Sequence, residues 1–240
     1  GVQTCALPIS LEIKTSVSGD IITVTPPTVR QDLLIEEDYV EEISRLYGYD
    51  KLPVTLPKQS TQARLTPRQE LRNLAKDVLT GLGMDEVQTY SFVSPKASDR
   101  VRIPQDSFRR QYIKLINPLG EDTSVMRTML LPNELDVLST NYSRSIPDAR
   151  IFELGNTFFN NGRGEDGLPE EKDALCMAAY GDLENFYLMK GRTEELLRIL
   201  GIRGAEYVTE SADPSFHPGR CARIEKDGEK IGVVGQVHPD

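Results

Sequence analysis

Arg30-Gln-Asp-Leu-Leu-Ile-Glu-Glu-Asp-Tyr-Val-Glu-Glu-Ile-Ser-Arg-Leu-Tyr-Gly-Tyr49 is the stretch from which the rest of the chain can be read. Ile35, Tyr39, Ile43, Leu46 and Tyr47 recur at helical spacing, which predicts an amphipathic helix from about Ile35 to Tyr47 with those residues inward and Gly48 as its C-terminal stop. Asp38, Glu41 and Glu42 stand at i, i+3 and i+4 and so share a face of that helix. Asp32 lies in the turn that feeds it. Carboxylates crowded in this way raise the cost of ionising one another unless something cationic neutralises them. A hard divalent cation such as Mg²⁺, bound through oxygen, would do so. Spacing alone also allows a solvated helix N-terminus, where the helix dipole favours acids. Glu36 and Glu37 fall elsewhere on the helix and read as solvated.

On the N-terminal side, Leu11, Ile13 and Ile21 to Thr25 predict a hairpin with Ser18-Gly19-Asp20 as its turn, closed by Pro26-Pro27. Residues 1–10 carry no usable periodicity and are read as an assembly scar. On the C-terminal side, Leu52 to Ala63 reads as connecting chain, with the linker proper at 57–63. Thr66-Pro67-Arg68-Gln69 then opens a helix as a capping box with proline at N1. It runs to about Thr80 with Leu71, Leu74, Ala75, Val78 and Leu82 as its apolar face. Strands are expected at Glu86–Phe92 and Tyr112–Ile116, and a helix at Pro132–Tyr142 burying Leu135 and Leu138. A strand follows over Arg150–Gly155, continuing through Thr157–Phe159. Asn160 to Lys172 reads as a loop, and Leu175–Tyr180 as a buried strand. A helix capped by Asp182 should run through Leu200. The last hairpin is Cys221–Glu225 and Lys230–Val237 around Asp227-Gly228. Hairpins with helices set between them, and no βαβ rhythm, indicate an α+β fold with a mostly antiparallel sheet.

Composition narrows the function classes. The chain has 240 residues, 38% hydrophobic and 27% charged, an ordinary globular mixture with enough length to bury a core. No apolar run approaches the roughly 20 residues that span a bilayer, so no membrane partner is expected. Three cysteines in no CxxC spacing read as reduced thiols of a cytoplasmic protein. With 37 acidic against 28 basic residues, the chain as a whole is poorly suited to coating nucleic acid.

Thr25-Pro-Pro-Thr-Val-Arg-Gln-Asp32, Ile35-Glu-Glu-Asp38 and Glu41-Glu-Ile-Ser-Arg-Leu-Tyr-Gly-Tyr-Asp50 together resemble the bacterial phenylalanyl-tRNA synthetase β subunit. The resemblance continues in Leu115-Ile-Asn-Pro-Leu119, Met126-Arg-Thr128, Ile151-Phe-Glu-Leu-Gly155, Lys190-Gly191, Phe216-His-Pro-Gly219 and Gly232-Val-Val-Gly-Gln-Val-His-Pro239, and covers residues 11–240 in order. It implies that residues 11–56 are the last part of a small helix-turn-helix-like domain. Residues 64–240 would then be most of a non-catalytic module with the class II synthetase fold, truncated at its C-terminus. It also implies Mg²⁺ on Asp32, Asp38, Glu41 and Glu42, shared with the catalytic α subunit of an α2β2 heterotetramer. The whole enzyme would be a ligase of protein biosynthesis, joining phenylalanine to tRNA(Phe) with ATP bound in the α subunit. By this resemblance the chain is an internal fragment that supports the assembly and carries no catalytic residue.

Other constellations are weaker. Arg150-Ile-Phe-Glu153 is similar to the ATP-holding strand of class II synthetases, but the Gly-x-Gly-x-x-Arg strand that completes such a site has no counterpart before residue 240, and an ion pair in a non-catalytic copy is the simpler reading. His217 and His238, the only histidines, precede prolines and read as turn hydrogen-bonders; with Cys221 they make no complete zinc set. Arg100, Arg102, Arg109, Arg110 and Lys114 form a basic stretch, read as a loop face, with tRNA phosphate as the sharper alternative. The rival classes are a stand-alone nucleic-acid-binding module and a regulatory paralogue without synthetase activity. Against the first, residues 31–50 hold seven acids and a single arginine, Arg45, which would repel phosphate.

Overall fold

The computed structural model describes residues 11–56, 58, 62–160 and 168–239. It divides between Ala63 and Arg64 into two units. Residues 1–10, most of the 57–63 linker and the middle of the 160–172 loop lie outside the described residues.

In the first unit, β1 (Lys14–Ser18) pairs antiparallel with β2 (Ile21–Thr25) from Lys14↔Thr25 to Ser18↔Ile21. Ser18 is thus paired, and the turn is the two residues Gly19-Asp20. Helix α1 spans Glu36–Tyr47, and the Gly48 amide donates to Ser44 O at 2.9 Å. Among the described residues of this unit, Ile13 and Leu33 are the buried apolar ones, and the Tyr39 hydroxyl donates to Leu33 O at 3.1 Å. The stripe expected to face inward is only half covered. Tyr39 and Ile43 are partly buried, while Ile35, Leu46 and Tyr47 are exposed.

The second unit opens with α2 (Pro67–Gly81). Thr66 accepts from the Gln69 amide at 3.3 Å and the Gln69 side chain accepts from the Thr66 amide at 2.8 Å, the reciprocal box foreseen. Its buried face keeps Ala75 and Val78 of the expected one and adds Leu79. Arg68, Arg72, Ala75 and Leu79 form the stripe turned to the sheet: the two arginines meet Asp173 of the strand below, and Ala75 and Leu79 enter the core. Leu71 and Leu74 point away and are exposed.

Strands β3 (Asp85–Glu86), β6 (Ala149–Phe159) and β7 (Glu170–Tyr180) form one sheet in the order β3-β6-β7. The β6–β7 pair is antiparallel from Ala149↔Tyr180 to Phe159↔Glu170, while β3 runs parallel to β6. Alternation along β6 sends Phe152 to one face and Ile151 to the other. Phe152 joins Ala75, Leu79, Met84 and Leu196 under α2 and α5 (Phe186–Ile199). Ile151 joins Leu138 and Ala178 under α4 (Leu131–Ser143). Helix α5 is also covered on a second side, where Met189 and Leu197 meet Ala222, Ile224 and Val234 of a second sheet ordered β10-β9-β8. That sheet is antiparallel, with β8 (Glu206–Thr209), β9 (Phe216–Lys226) and β10 (Glu229–Val237). Asp227 and Gly228 both have positive φ, 53° and 84°, the two-residue turn that matches strand twist.

Several boundaries differ from the sequence reading. The expected strand Glu86–Phe92 is interrupted: β3 ends at Glu86 and β4 resumes at Phe92–Val93, pairing with β5 (Val125–Met126), because Thr89 between them turns to a buried carboxylate. The expected strand at 112–116 reduces to a single bridge, Lys114↔Val125. Asn185, not Asp182, caps α5, accepting from the amides of Tyr187 at 2.9 Å and Leu188 at 3.1 Å. β8 was not foreseen, and β9 begins five residues before Cys221. A short helix, α3 (Ala97–Arg100), completes the elements. The architecture is α+β with mostly antiparallel sheets, and no helix among the described residues is long and apolar enough to cross a membrane.

Candidate functional site

The acidic stretch is arranged around Arg30. Its guanidinium donates to Asp32 at 2.7 to 3.1 Å and to Glu42 Oε1 at 2.6 Å. Arg45 holds the other Glu42 oxygen at 2.5 Å. Hydrogen bonds from Arg30 are the main cause that lowers the Asp32 pKa, and Arg30 followed by Arg45 lowers that of Glu42. Asp38 does different work. Its Oδ2 accepts from the amides of Leu34 at 2.7 Å and Ile35 at 2.8 Å, closing the N-terminus of α1. Ile35 has no side-chain oxygen to offer, so Asp38 is the polar half of that cap. Glu41 is exposed, as are Glu36 and Glu37.

The cation that the crowded carboxylates require is therefore present within the chain. Arg30 stands two residues before Asp32 in the quoted stretch, and sequence reasoning gave it no role. The four acidic residues offer only hard oxygen donors, which suits Mg²⁺. In the structure three of the four carboxylates already have partners, and among the described residues no group of three or more His, Cys, Asp or Glu side chains is arranged to hold a metal. A divalent ion here would displace Arg30 from Asp32 and Glu42.

Arg150 and Glu153 are not brought together. Three residues apart on one strand, they project to opposite faces. Arg150 pairs with Asp148 at 2.8 Å and with Glu184 at 2.6 Å, and Glu184 also holds Arg192. Glu153 is buried and paired with Arg127 at 2.8 Å. Thr89 Oγ1 donates to Glu153 Oε2 at 2.6 Å, and Arg127 donates to Thr89 Oγ1 at 2.8 Å and to Asn156 O at 2.9 Å. Gly155 lets the two side chains cross: a Cβ there would collide with Arg127 Nη2 and lie 2.9 Å from Glu153 Oε1. Met126-Arg-Thr128 and Ile151-Phe-Glu-Leu-Gly155, distant in sequence, thus form one buried joint. No periodicity announces it, since each residue alone reads as surface charge.

Several of the remaining candidates have local partners. His217 Nδ1 accepts from the Gly219 amide at 3.0 Å, and a ring nitrogen of His238 meets Arg102 at 2.9 Å. Cys221 is buried, and burial pushes its thiol up to about 11. In the basic stretch, Arg100 pairs with Asp136, and Arg110 pairs with Asp99 at 2.7 Å while donating to the carbonyls of Ile103 and Pro104. Arg109 lies over the Phe108 ring, 5.9 Å from its centroid.

Residues 52–240 match the family described as Phenylalanyl tRNA synthetase beta chain CLM domain, and residues 3–49 match the tRNA synthetase B5 domain. The second match takes in most of the ten residues that the sequence reading set aside. A phenylalanine–tRNA ligase β subunit of Clostridium tetani is 41% identical over 231 residues, covering 96% of this chain and 29% of its own length. That of Clostridium acetobutylicum is 40% identical with the same coverage, and that of Staphylococcus aureus is 37% identical over 243 residues, covering 95% of this chain. The chain spans less than a third of these relatives. Two structures of a pyrrolysyl-tRNA synthetase from Desulfitobacterium hafniense superpose with TM-scores of 0.55 and 0.57 at 17% and 20% identity, covering 96% and 99% of this chain and 74% and 79% of theirs. They share a fold with it, that of the class II tRNA synthetases. By the extent of the family matches and the identity to these relatives, the chain belongs to the phenylalanyl-tRNA synthetase β-chain family.

Proposed function

We propose that this chain is a supporting part of an enzyme that joins phenylalanine to tRNA(Phe) with ATP. The observation that carries the reading is the family match over residues 52–240 together with relatives at 41% and 40% identity. The chemistry belongs to a catalytic α subunit that binds ATP, and this segment contributes to an α2β2 assembly in the cytoplasm. The occupied partners of Arg150 and Glu153, on opposite faces of β6, support a structural role for that strand. Residues 11–56, a hairpin followed by α1, form the last part of a helix-turn-helix-like domain, and residues 64–240 the synthetase-like module, with 57–63 between them.

The acidic stretch binds Mg²⁺ through Asp32, Asp38, Glu41 and Glu42. The ion would supply the charge neutralisation that Arg30 now gives, and would bridge to the α subunit. Their all-oxygen donor set supports this. Before the ion binds, Arg30 is the counter-ion that keeps Asp32 and Glu42 ionised and side by side.

Co-expression with an α subunit of the same family, followed by size exclusion and a tRNA-charging assay, tests the reading. Co-elution is expected, and an α subunit that assembles and charges tRNA without this segment would overturn it. For the metal, Mg²⁺ occupancy of the complex should fall in Asp38→Ala and Glu42→Ala. Unchanged occupancy in both would remove the assignment.

A further inference from the structure

The first turn of α4 seats against the face of β6 that carries Ile151 and Glu153. Glu134, in that turn, is fully enclosed, and neither of its carboxyl oxygens has a hydrogen-bond partner. Beside it, Asn133 Oδ1 is also buried without a donor, while its Nδ2 donates to Tyr90 O at 3.1 Å. The charged and titratable groups facing Glu134 are Arg127, just after β5, Glu153 on β6, and Cys176 on β7. Arg127 is already engaged with Glu153, Thr89 and Asn156, as described above. Glu153 also accepts from the Thr89 hydroxyl at 2.6 Å and, more weakly, from the Thr89 amide at 3.4 Å.

Charge must balance inside this enclosure. Two carboxylates and one guanidinium leave one negative charge in excess, and an uncompensated buried carboxylate is strongly disfavoured. A metal ion would need several converging ligands, and among the described residues no such group exists. A proton needs no cavity and one oxygen. Glu153 already accepts from Arg127 and Thr89, whereas neither oxygen of Glu134 meets a donor, which leaves Glu134 to take the proton.

We propose that Glu134 is a proton-binding site, carried as the neutral acid at neutral pH, whose ionisation unseats the first turn of α4 from the β6–β7 sheet. Burial, with Glu153 adding and Arg127 opposing, pushes the Glu134 carboxyl up from 4.5 to about 8. The same surroundings push the Cys176 thiol up. Once ionised, Glu134 competes with Glu153 for Arg127. Arg127 also anchors its segment through its own amide to Ser91 O at 2.9 Å and its carbonyl to the Phe158 amide at 2.9 Å. One proton therefore controls whether three separate segments stay joined.

The sign follows from linkage. The folded chain holds a proton that the unfolded chain releases near pH 4.5, so its contribution is complete below that value and is lost as pH rises to about 8. The test follows the full 240-residue chain by infrared spectroscopy and urea unfolding across this range. A protonated-carboxyl band should persist at pH 7, disappear above pH 8, and be missing in Glu134→Gln. The unfolding equilibrium constant should rise by up to about tenfold per pH unit between about 4.5 and 8, and Glu134→Gln should flatten that slope. Absence of the band at pH 7, or an unchanged slope in the variant, overturns the proposal. If Glu134→Gln does not fold, the wild-type band alone decides it.

Discussion

Gly155 sits where Arg127 and Glu153 cross, and the atoms a methyl group would meet belong to a buried ion pair rather than to a flexible surface chain. Gly155→Ala overpacks this buried crossing and should destabilise by about 1–3 kcal/mol. Gly191, in the middle of α5, gives the opposite result from the same chemistry. A Cβ there meets nothing within 4 Å, so Gly191→Ala should stabilise by about 1 kcal/mol through helix propensity. Urea unfolding of both variants checks the pair of signs. If Gly155→Ala left stability unchanged, the crossing would not be the rigid joint described. At this scale the sequence carried part of the site and hid the rest. The four acids of the quoted stretch were legible because they share a helix face, a property of spacing. Arg30 was visible too, but its partners Asp32 and Glu42 lie on different local elements, and only folding shows that one guanidinium reaches both. The joint of Arg127, Thr89, Glu153 and Gly155 was not legible, since its members come from three segments and pair only after β6 is buried.

At the scale of elements, the termini of α5 separate a residue type from its geometry. Asp182 and Asn185 are both good N-cap residues, and Asp182 comes first in the chain. Gly181 and the turn from Gly181 O to the Glu184 amide at 3.0 Å delay the helix, so that Asn185 meets the free amides. Asn185→Ala should therefore cost about 1 kcal/mol, while Asp182→Ala should stay within about 0.5 kcal/mol, as an exposed side chain away from the cap. Thermal unfolding of the two variants distinguishes them, and equal effects would return the cap to Asp182. The same logic explains which elements could be read in advance. α2 and the β9–β10 hairpin announce themselves through a capping box and an Asp-Gly turn, both local. The face that α2 buries could not be read that way. Leu71 and Leu74 are as apolar as Leu79, yet only Leu79 is buried, because the choice depends on what the helix packs against and not on local pattern. The split of the expected 86–92 strand has a similar origin, in Thr89 turning to Glu153.

At the scale of the whole molecule, ionisation ties distant segments together in two opposing senses. Asp173 joins β7 to α2 through Arg68 and Arg72, and hydrogen bonding to Arg68 is the main cause that lowers its pKa. Glu184 joins β6 to α5 through Arg150 and Arg192, and Arg192 is the main cause that lowers its pKa. For carboxylates of this kind the folded chain gives up its protons at lower pH than the unfolded chain. Their contribution is present above the unfolded values of 3.8 and 4.5 and is lost as pH falls below them. Glu134 has the reverse sign, and its contribution is lost between 4.5 and about 8. The formal net charge of −9 at pH 7 acts in the same direction as Glu134, because self-repulsion grows as pH rises. Stability should therefore crest in mildly acid solution, at about pH 4.5–5 where the two limbs meet, rather than near neutrality. Urea midpoints measured from pH 3 to pH 9 test this on the full chain. Asp173→Asn and Glu184→Gln should lower the crest and flatten the acid limb while leaving the alkaline limb in place, and Glu134→Gln should do the converse. A wild-type profile that rises steadily to pH 8 would mean that Glu134 ionises without cost, and the enclosure around it would then have to open more easily than its burial indicates.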